Sequence, residues 1–205
     1  MPINFDNQDH INIRAVIAAG GNVWANPLLN DVKRKIKDYY IENELPKCCY
    51  CSRLFVGEFR MVIDIEHILP QSKYSSLRFE ELNLNVACKR CNMEIKKGRL
   101  DFIVDETRMG INYFQSQHYK IIHPNIDKYD DHLKIITGRN GNIILNKYVI
   151  LTKNKGQFTY DYFELKEFEI NNLNEAQGIR KLSTLSREIP DSLRNQIIKI
   201  LSKIK

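Results

Sequence analysis

Cys88-Lys89-Arg90-Cys91-Asn92 repeats the spacing of Cys48-Cys49-Tyr50-Cys51, so the chain carries the pattern C-x2-C-x36-C-x2-C. Each C-x-x-C offers two thiolates from one tight turn, and a tetrahedral zinc site takes four. Cys48, Cys51, Cys88 and Cys91 are therefore read as the ligands of one structural Zn²⁺. With four thiolates the zinc keeps no open position for a substrate, so its part is to close a long loop. Inside that loop lies Asp64-Ile65-Glu66-His67-Ile68-Leu69-Pro70. Closing it draws an acid, a histidine and Asn92 together. The leftover Cys49 falls out of register and is read as a small packed side chain.

The 205 residues suffice for one domain with a real core, or for a small catalytic core with flanking helices. A hydrophobic content of 43% argues against wholesale disorder. No apolar run reaches the roughly 20 residues that a membrane-spanning helix requires. Met1-Pro2-Ile3-Asn4-Phe5-Asp6 lacks the basic and then apolar pattern of a signal peptide. A cytoplasmic protein without membrane association is expected, and there paired cysteines are metal ligands before they are disulfides.

The net charge of +6 sets 31 basic residues against 25 acidic ones, which points only weakly to nucleic acid. Its distribution says more. Lys89, Arg90, Lys96, Lys97 and Arg99 face a single acid, Glu94, beside the proposed site, where phosphates would have to dock. A solvated helix face would look the same without the neighbouring motif.

Residues 26–45 read as a helix, with Asn26 as cap, Pro27 in the first turn and Leu28, Leu29, Val32, Ile36, Tyr39 and Tyr40 at helical spacing. Pro46 stops it before Cys48. Residues 59–66 are β-branched and apolar enough for a strand ending at His67, and Leu84-Asn85-Val86-Ala87 can pair with it. A short helix is expected from Lys89 to Lys97, ended by Gly98. Residues 133–149 look like a hairpin turning at Gly138-Arg139-Asn140-Gly141, and residues 170–205 look helical, with a last helix from Pro190. His10 is read as a tail residue, and His118, His123 and His132 as structural.

Glu66-His67-Ile68-Leu69-Pro70, Asn83-Leu84 and Cys88-x-x-Cys91-Asn92 running into Lys97-Gly98 resemble the zinc-containing HNH (ββα-metal) endonucleases over about residues 48–99. The resemblance implies that His67 is the general base and that Glu66 and Asn92 hold one catalytic Mg²⁺ or Mn²⁺. It also implies that Asn83 braces the loop carrying the histidine, with Asp64 as an assisting carboxylate. Glu66 stands where Asp is commoner, and its longer arm shifts the ion by about a methylene. These roles suit the chemistry. In-line attack on a phosphodiester needs a base on one side and neutralised charge on the other, and an imidazole of ordinary pKa near 6.5 can take the proton.

The segment from Ile122-His123-Pro124 through Tyr129-Asp130-Asp131-His132-Leu133 to Gly141-Asn142-Ile143 resembles a narrower group, the compact HNH proteins of Septu-type and retron-associated anti-phage systems. That resemblance implies an ATPase partner controlling the nuclease.

The expected architecture is α+β. A helical segment spans 1–47, a zinc-stapled HNH core 48–100, and a hairpin and helical extension packed on that core 101–205. The expected activity is metal-dependent hydrolysis of DNA in anti-phage defence. Two rivals remain open: a non-catalytic zinc ribbon that binds nucleic acid or a partner, and a subunit silent until its partner releases it.

Overall fold

A computed structural model describes residues 3–42, 45–140 and 143–171. Its centre is an antiparallel pair, β1 (Ile63–His67) and β2 (Leu84–Cys88), registered with Ile63 opposite Cys88 and His67 opposite Leu84. A helical segment, Arg90–Lys96, follows directly. The expected order of strand, strand and helix is therefore present in a mixed helix-and-strand fold.

Local chemistry trims the expected boundaries. The strand begins at Ile63 rather than residue 59, because Arg60–Val62 form a tight turn closed by the Val62 N–H on the Phe59 carbonyl at 3.0 Å. The segment Arg90–Lys96 is a wide π-type helix rather than an ordinary one. The Lys97 N–H closes it on the Asn92 carbonyl at 2.8 Å, five residues back. Lys97, not Gly98, takes the positive φ of 50° that reverses the chain.

The N-terminal residues form two helices, α1 (Asn7–Ala19) and α2 (Asn30–Glu42). The first was not expected, and it places His10 on a helix, edge-on to Phe5, rather than in a tail. It is held by a capping box in which Asp6 and Asp9 exchange backbone N–H bonds. The helix expected over 26–45 starts only at Asn30. Asn22 and Asn26 each cap a tight turn, Val23–Ala25 and Pro27–Leu29, before it. Ile3, Val16, Val23, Leu29, Val32 and Ile36 pack as one core with Leu84 of β2. Lys35 ties the two helices through Asp6 at 2.7 Å and Asp9 at 2.5 Å.

A larger core joins the cysteines, β1 and β2 to the C-terminal elements through Phe102, Tyr119, Ile121, Leu133, Phe163 and Leu165. Beyond a four-residue helix α3 (Glu106–Met109) comes a hairpin of β3 (Leu133–Asn140) and β4 (Ile143–Ile150), then α4 (Lys155–Tyr162) and α5 (Lys166–Asn171). The hairpin matches its expected span to within one residue, but the first strand runs on past Gly138. Gly138 pairs with Leu145 and Asn140 with Ile143, so the reversal lies between Asn140 and Ile143, at residues outside those described. The helices expected beyond residue 171, including the one from Pro190, also lie outside them. Among the described residues, no helix is long and apolar enough to cross a membrane.

Candidate active site

The four paired cysteines are buried, and their sulfurs all lie within 4.8 Å of one another. Cys51 Sγ and Cys88 Sγ are 3.8 Å apart. A tetrahedron with Zn–S bonds of about 2.3 Å has edges of about 3.8 Å, so the donor set fits zinc. Ser52, at φ 55°, lets the first knuckle turn back, and its N–H meets the Cys48 carbonyl at 2.9 Å. The C-terminal elements seal this corner. Tyr129 Oη donates to the Tyr50 carbonyl at 3.1 Å and Tyr148 Oη to that of Cys51 at 2.5 Å. Cys49, outside the cluster, is half-buried and its N–H pairs with Val86 across the strand edge at 3.0 Å.

A cleft of about 810 Å³ opens beside β1. Asp64, Glu66, His67 and Asn92 all line it. His67 is 8% exposed, and its Nε2 lies 3.0 Å from the Arg78 carbonyl. A carbonyl oxygen only accepts, so Nε2 carries the hydrogen and Nδ1 keeps its lone pair. Trp24 stands edge-on to the imidazole, with ring centroids 4.5 Å apart. Burial, against the pull of the Arg78 carbonyl, lowers the His67 pKa to about 4. The ring is therefore neutral at pH 7, the form that can accept a proton.

Glu66 is 1% exposed. Its Oε1 receives Lys96 Nζ at 2.5 Å and Tyr50 Oη at 3.0 Å, while Oε2 is buried without a partner. Burial raises its pKa even against Lys96 and Tyr50. A buried carboxylate oxygen without a partner, on a residue that lines the cleft, suits a hard cation, which takes oxygen ligands. Asp64 accepts from Asn92 Nδ2 at 3.2 Å and pairs with Lys89 at 2.9 Å. The acid, the histidine and the asparagine singled out in the sequence thus share one cleft.

Asn83 does not reach it. This side chain is fully buried and clamps the loop after β1, with Oδ1 accepting the Leu69 N–H at 2.7 Å and Nδ2 donating to the carbonyls of Leu69 at 3.1 Å and Leu77 at 3.0 Å. Its contacts are all to the loop that follows His67.

The five expected phosphate contacts separate. Lys97 is exposed on the cleft wall. Lys89 is committed to Asp64, and Arg99 to Asp101 and the ring of Tyr162. Arg90 anchors the C-terminal elements through the Phe163 carbonyl at 2.8 Å and Glu164 at 3.1 Å. Lys96 is 1% exposed and bonds Glu66 and the His67 carbonyl, so it cannot meet a phosphate. Sequence reasoning also missed Trp24, Lys33 and Lys37, which line the same cleft. The available signal was the four-residue spacing of the two lysines, which puts both on one side of α2.

Residues 48–98 match the model of the HNH endonuclease family. This stretch is an HNH domain. It contains both cysteine pairs, the β1–β2 hairpin and the helix after it, so the HNH domain coincides with the unit that the four-cysteine cluster closes. Beyond it, the chain is 27% identical over 169 residues to a Septu protein PtuB from Bacillus thuringiensis. That alignment takes in 82% of this chain but 52% of the relative, so the chain spans about half the length of the curated relative it matches. No solved structure matches the chain.

Proposed function

We propose that this chain is a metal-dependent endonuclease hydrolysing DNA phosphodiester bonds, with His67 as general base. The carrying observation is His67 with Nε2 fixed to the Arg78 carbonyl, in a cleft that is also lined by Glu66, whose Oε2 is buried without a partner. His67 takes a proton from the attacking water at Nδ1, and its neutrality at pH 7 leaves that lone pair available. Glu66 and Asn92 hold one Mg²⁺ or Mn²⁺, with Asp64 assisting. Such an ion, when bound, neutralises charge on the phosphate and the departing oxygen. Lys96 holds the base and the ligand in register, since it bonds the carbonyl of one and the carboxylate of the other. Asn83 keeps the following loop, and therefore the Arg78 carbonyl, in place.

The zinc lies outside the chemistry. All four of its ligands are thiolates, and it staples the unit that carries the site. The likeness to a Septu protein PtuB supports a place in anti-phage defence within a partner system, and the partner proposed from the sequence resemblance is an ATPase that controls cutting.

The test is cleavage of supercoiled plasmid with Mg²⁺ or Mn²⁺, with and without the proposed ATPase partner. Wild type should cut, while His67→Ala should not, with circular dichroism and zinc content unchanged. Cutting retained by the variant removes His67 as the base. DNA binding without cutting under every ion, with the partner present, leaves a zinc-stapled binding module instead.

A further inference from the structure

The cleft has a wall that the HNH domain does not supply. Helix α2 lies before residue 48, yet its Lys33 and Lys37 line the cleft with Asp64, Glu66, His67 and Asn92. Residues four apart on a helix stand one above the other, about 6 Å between their Cβ atoms.

What distinguishes this pair is how the positive charge is answered. Arg34 is neutralised by Asp31 at 3.1 Å and by Asp38 at 3.7 Å, and Arg60 by Asp38 and Glu42. Lys35 belongs to Asp6 and Asp9, and Lys89 to Asp64. By contrast, Lys33 Nζ donates to the Trp24 carbonyl at 3.2 Å and Lys37 Nζ to the Arg60 carbonyl at 3.1 Å. Among the described residues neither ammonium pairs with a carboxylate. A carbonyl positions an ammonium without cancelling its charge, and each ammonium has two further hydrogens to give.

Both lysines are only part-exposed, and burial holds Lys37 below its ordinary pKa. Asp64 offsets that burial only in part, while Lys89, Arg60 and Lys33 add to it, so a cation kept partly out of water with no ion pair of its own gains when an anion arrives. The anion that fits a metal-dependent nuclease cleft is the backbone phosphate of its substrate.

We propose that Lys33 and Lys37 bind phosphates of the DNA strand in the cleft, so that the N-terminal helices complete the substrate groove of the HNH domain. The inference rests on the nuclease reading above and adds where the substrate is held. It also adds phosphate contacts beyond the helix after β2, where Lys96 and Arg90 are occupied and Lys97 is exposed at the cleft.

The test is salt-dependent binding of a short fluorescein-labelled DNA duplex to protein carrying His67→Ala, in Mg²⁺, followed by anisotropy. Glutamine can still donate to the two carbonyls, so Lys33→Gln/Lys37→Gln removes charge with little change in packing. Two lost phosphate contacts should flatten the slope of log K against log salt by about 1.8. A control of equal charge, Lys134→Gln/Lys147→Gln on the exposed side of the β3–β4 hairpin, should leave the slope as it is. Lys33→Arg/Lys37→Arg should keep it too. In cutting-competent protein the glutamine pair should raise KM and spare kcat.

An unchanged slope in the α2 variant, or an equal fall in the control, overturns the inference while the nuclease reading stands. Wild type that neither binds nor cuts DNA overturns both. Should the double variant lose zinc or helix content, Lys33→Gln alone should still flatten the slope by about 0.9, and no change there overturns the proposal.

Discussion

Lys96 Nζ lies 2.5 Å from Glu66 Oε1, and both side chains are only 1% exposed. The same ammonium donates to the His67 carbonyl at 2.9 Å. One buried cation thus fixes two neighbouring residues of the cleft, and the helix after β2 contributes to the site through this lysine as well as through Asn92. Removing one member of a buried ion pair leaves a desolvated charge, which costs about 3–5 kcal/mol. Lys96→Met should destabilise the protein by that amount in urea denaturation with zinc present. Adding Glu66→Gln should recover most of the loss. A loss below about 1 kcal/mol is what an exposed pair would give, and it would contradict the burial.

Asn83→Ala should separate positioning from contact. The substitution strands the Leu69 N–H and the Leu69 and Leu77 carbonyls inside the protein, at about 1–3 kcal/mol for each group left unsatisfied. Melting temperature should fall while zinc content holds. Single-turnover cleavage should slow without a matching rise in KM, because the side chain touches the loop and not the cleft. A rise in KM alone would mean that Asn83 contacts substrate.

The zinc unit was legible because thiolate geometry demands matched pairs at close spacing, and that demand is written in the residues themselves. The same holds for the hairpin after Pro46, where β-branched runs and Pro70 mark the strand. The charge assignments were less legible. Lys96 and Lys97 are adjacent and alike in sequence, yet one is sealed on Glu66 and the other is exposed at the cleft. Lys96 is the last residue of the helix, whereas Lys97, at φ 50°, already belongs to the turn that reverses the chain. Helix α1 escaped notice because it buries only Asp9 and Val16, so its apolar periodicity is faint, and its true signal is the Asp6–Asp9 capping box. Lys33 and Lys37 read as ordinary solvent-facing positions of α2 until the cleft beside them is seen.

Cys91→Ser and Cys49→Ser should behave oppositely. Cys91 is one of the four clustered thiols, whereas Cys49 stands outside the set. Where metal binding and folding are coupled, losing a ligand lowers both zinc content and stability. Native mass spectrometry should find Cys91→Ser with little zinc and an early thermal transition. Cys49→Ser should keep one zinc per chain and melt close to wild type. Equal zinc loss in both would assign Cys49 to the site in place of one of the four.

His123 should make the protein sensitive to acid independently of the cleft. The ring is fully buried, Nδ1 accepts the Asn125 N–H at 3.3 Å, and Nε2 has no partner. Burial, partly offset by Asp127, lowers its pKa to about 3. In the unfolded chain the value returns to about 6.5. Between those two limits the unfolded state binds a proton that the folded state refuses, so stability rises with pH across the window and is complete above about pH 6.5. Descending from pH 6.5 toward 3, the contribution is lost at up to about 1.4 kcal/mol per pH unit. His123→Asn keeps an acceptor near Nδ1 and removes the titration. The stability difference between wild type and this variant, from urea melts at fixed zinc, should therefore change by up to that slope below pH 6.5 and stay constant above it. A pH-independent difference would mean that His123 is hydrated or protonated in the folded protein.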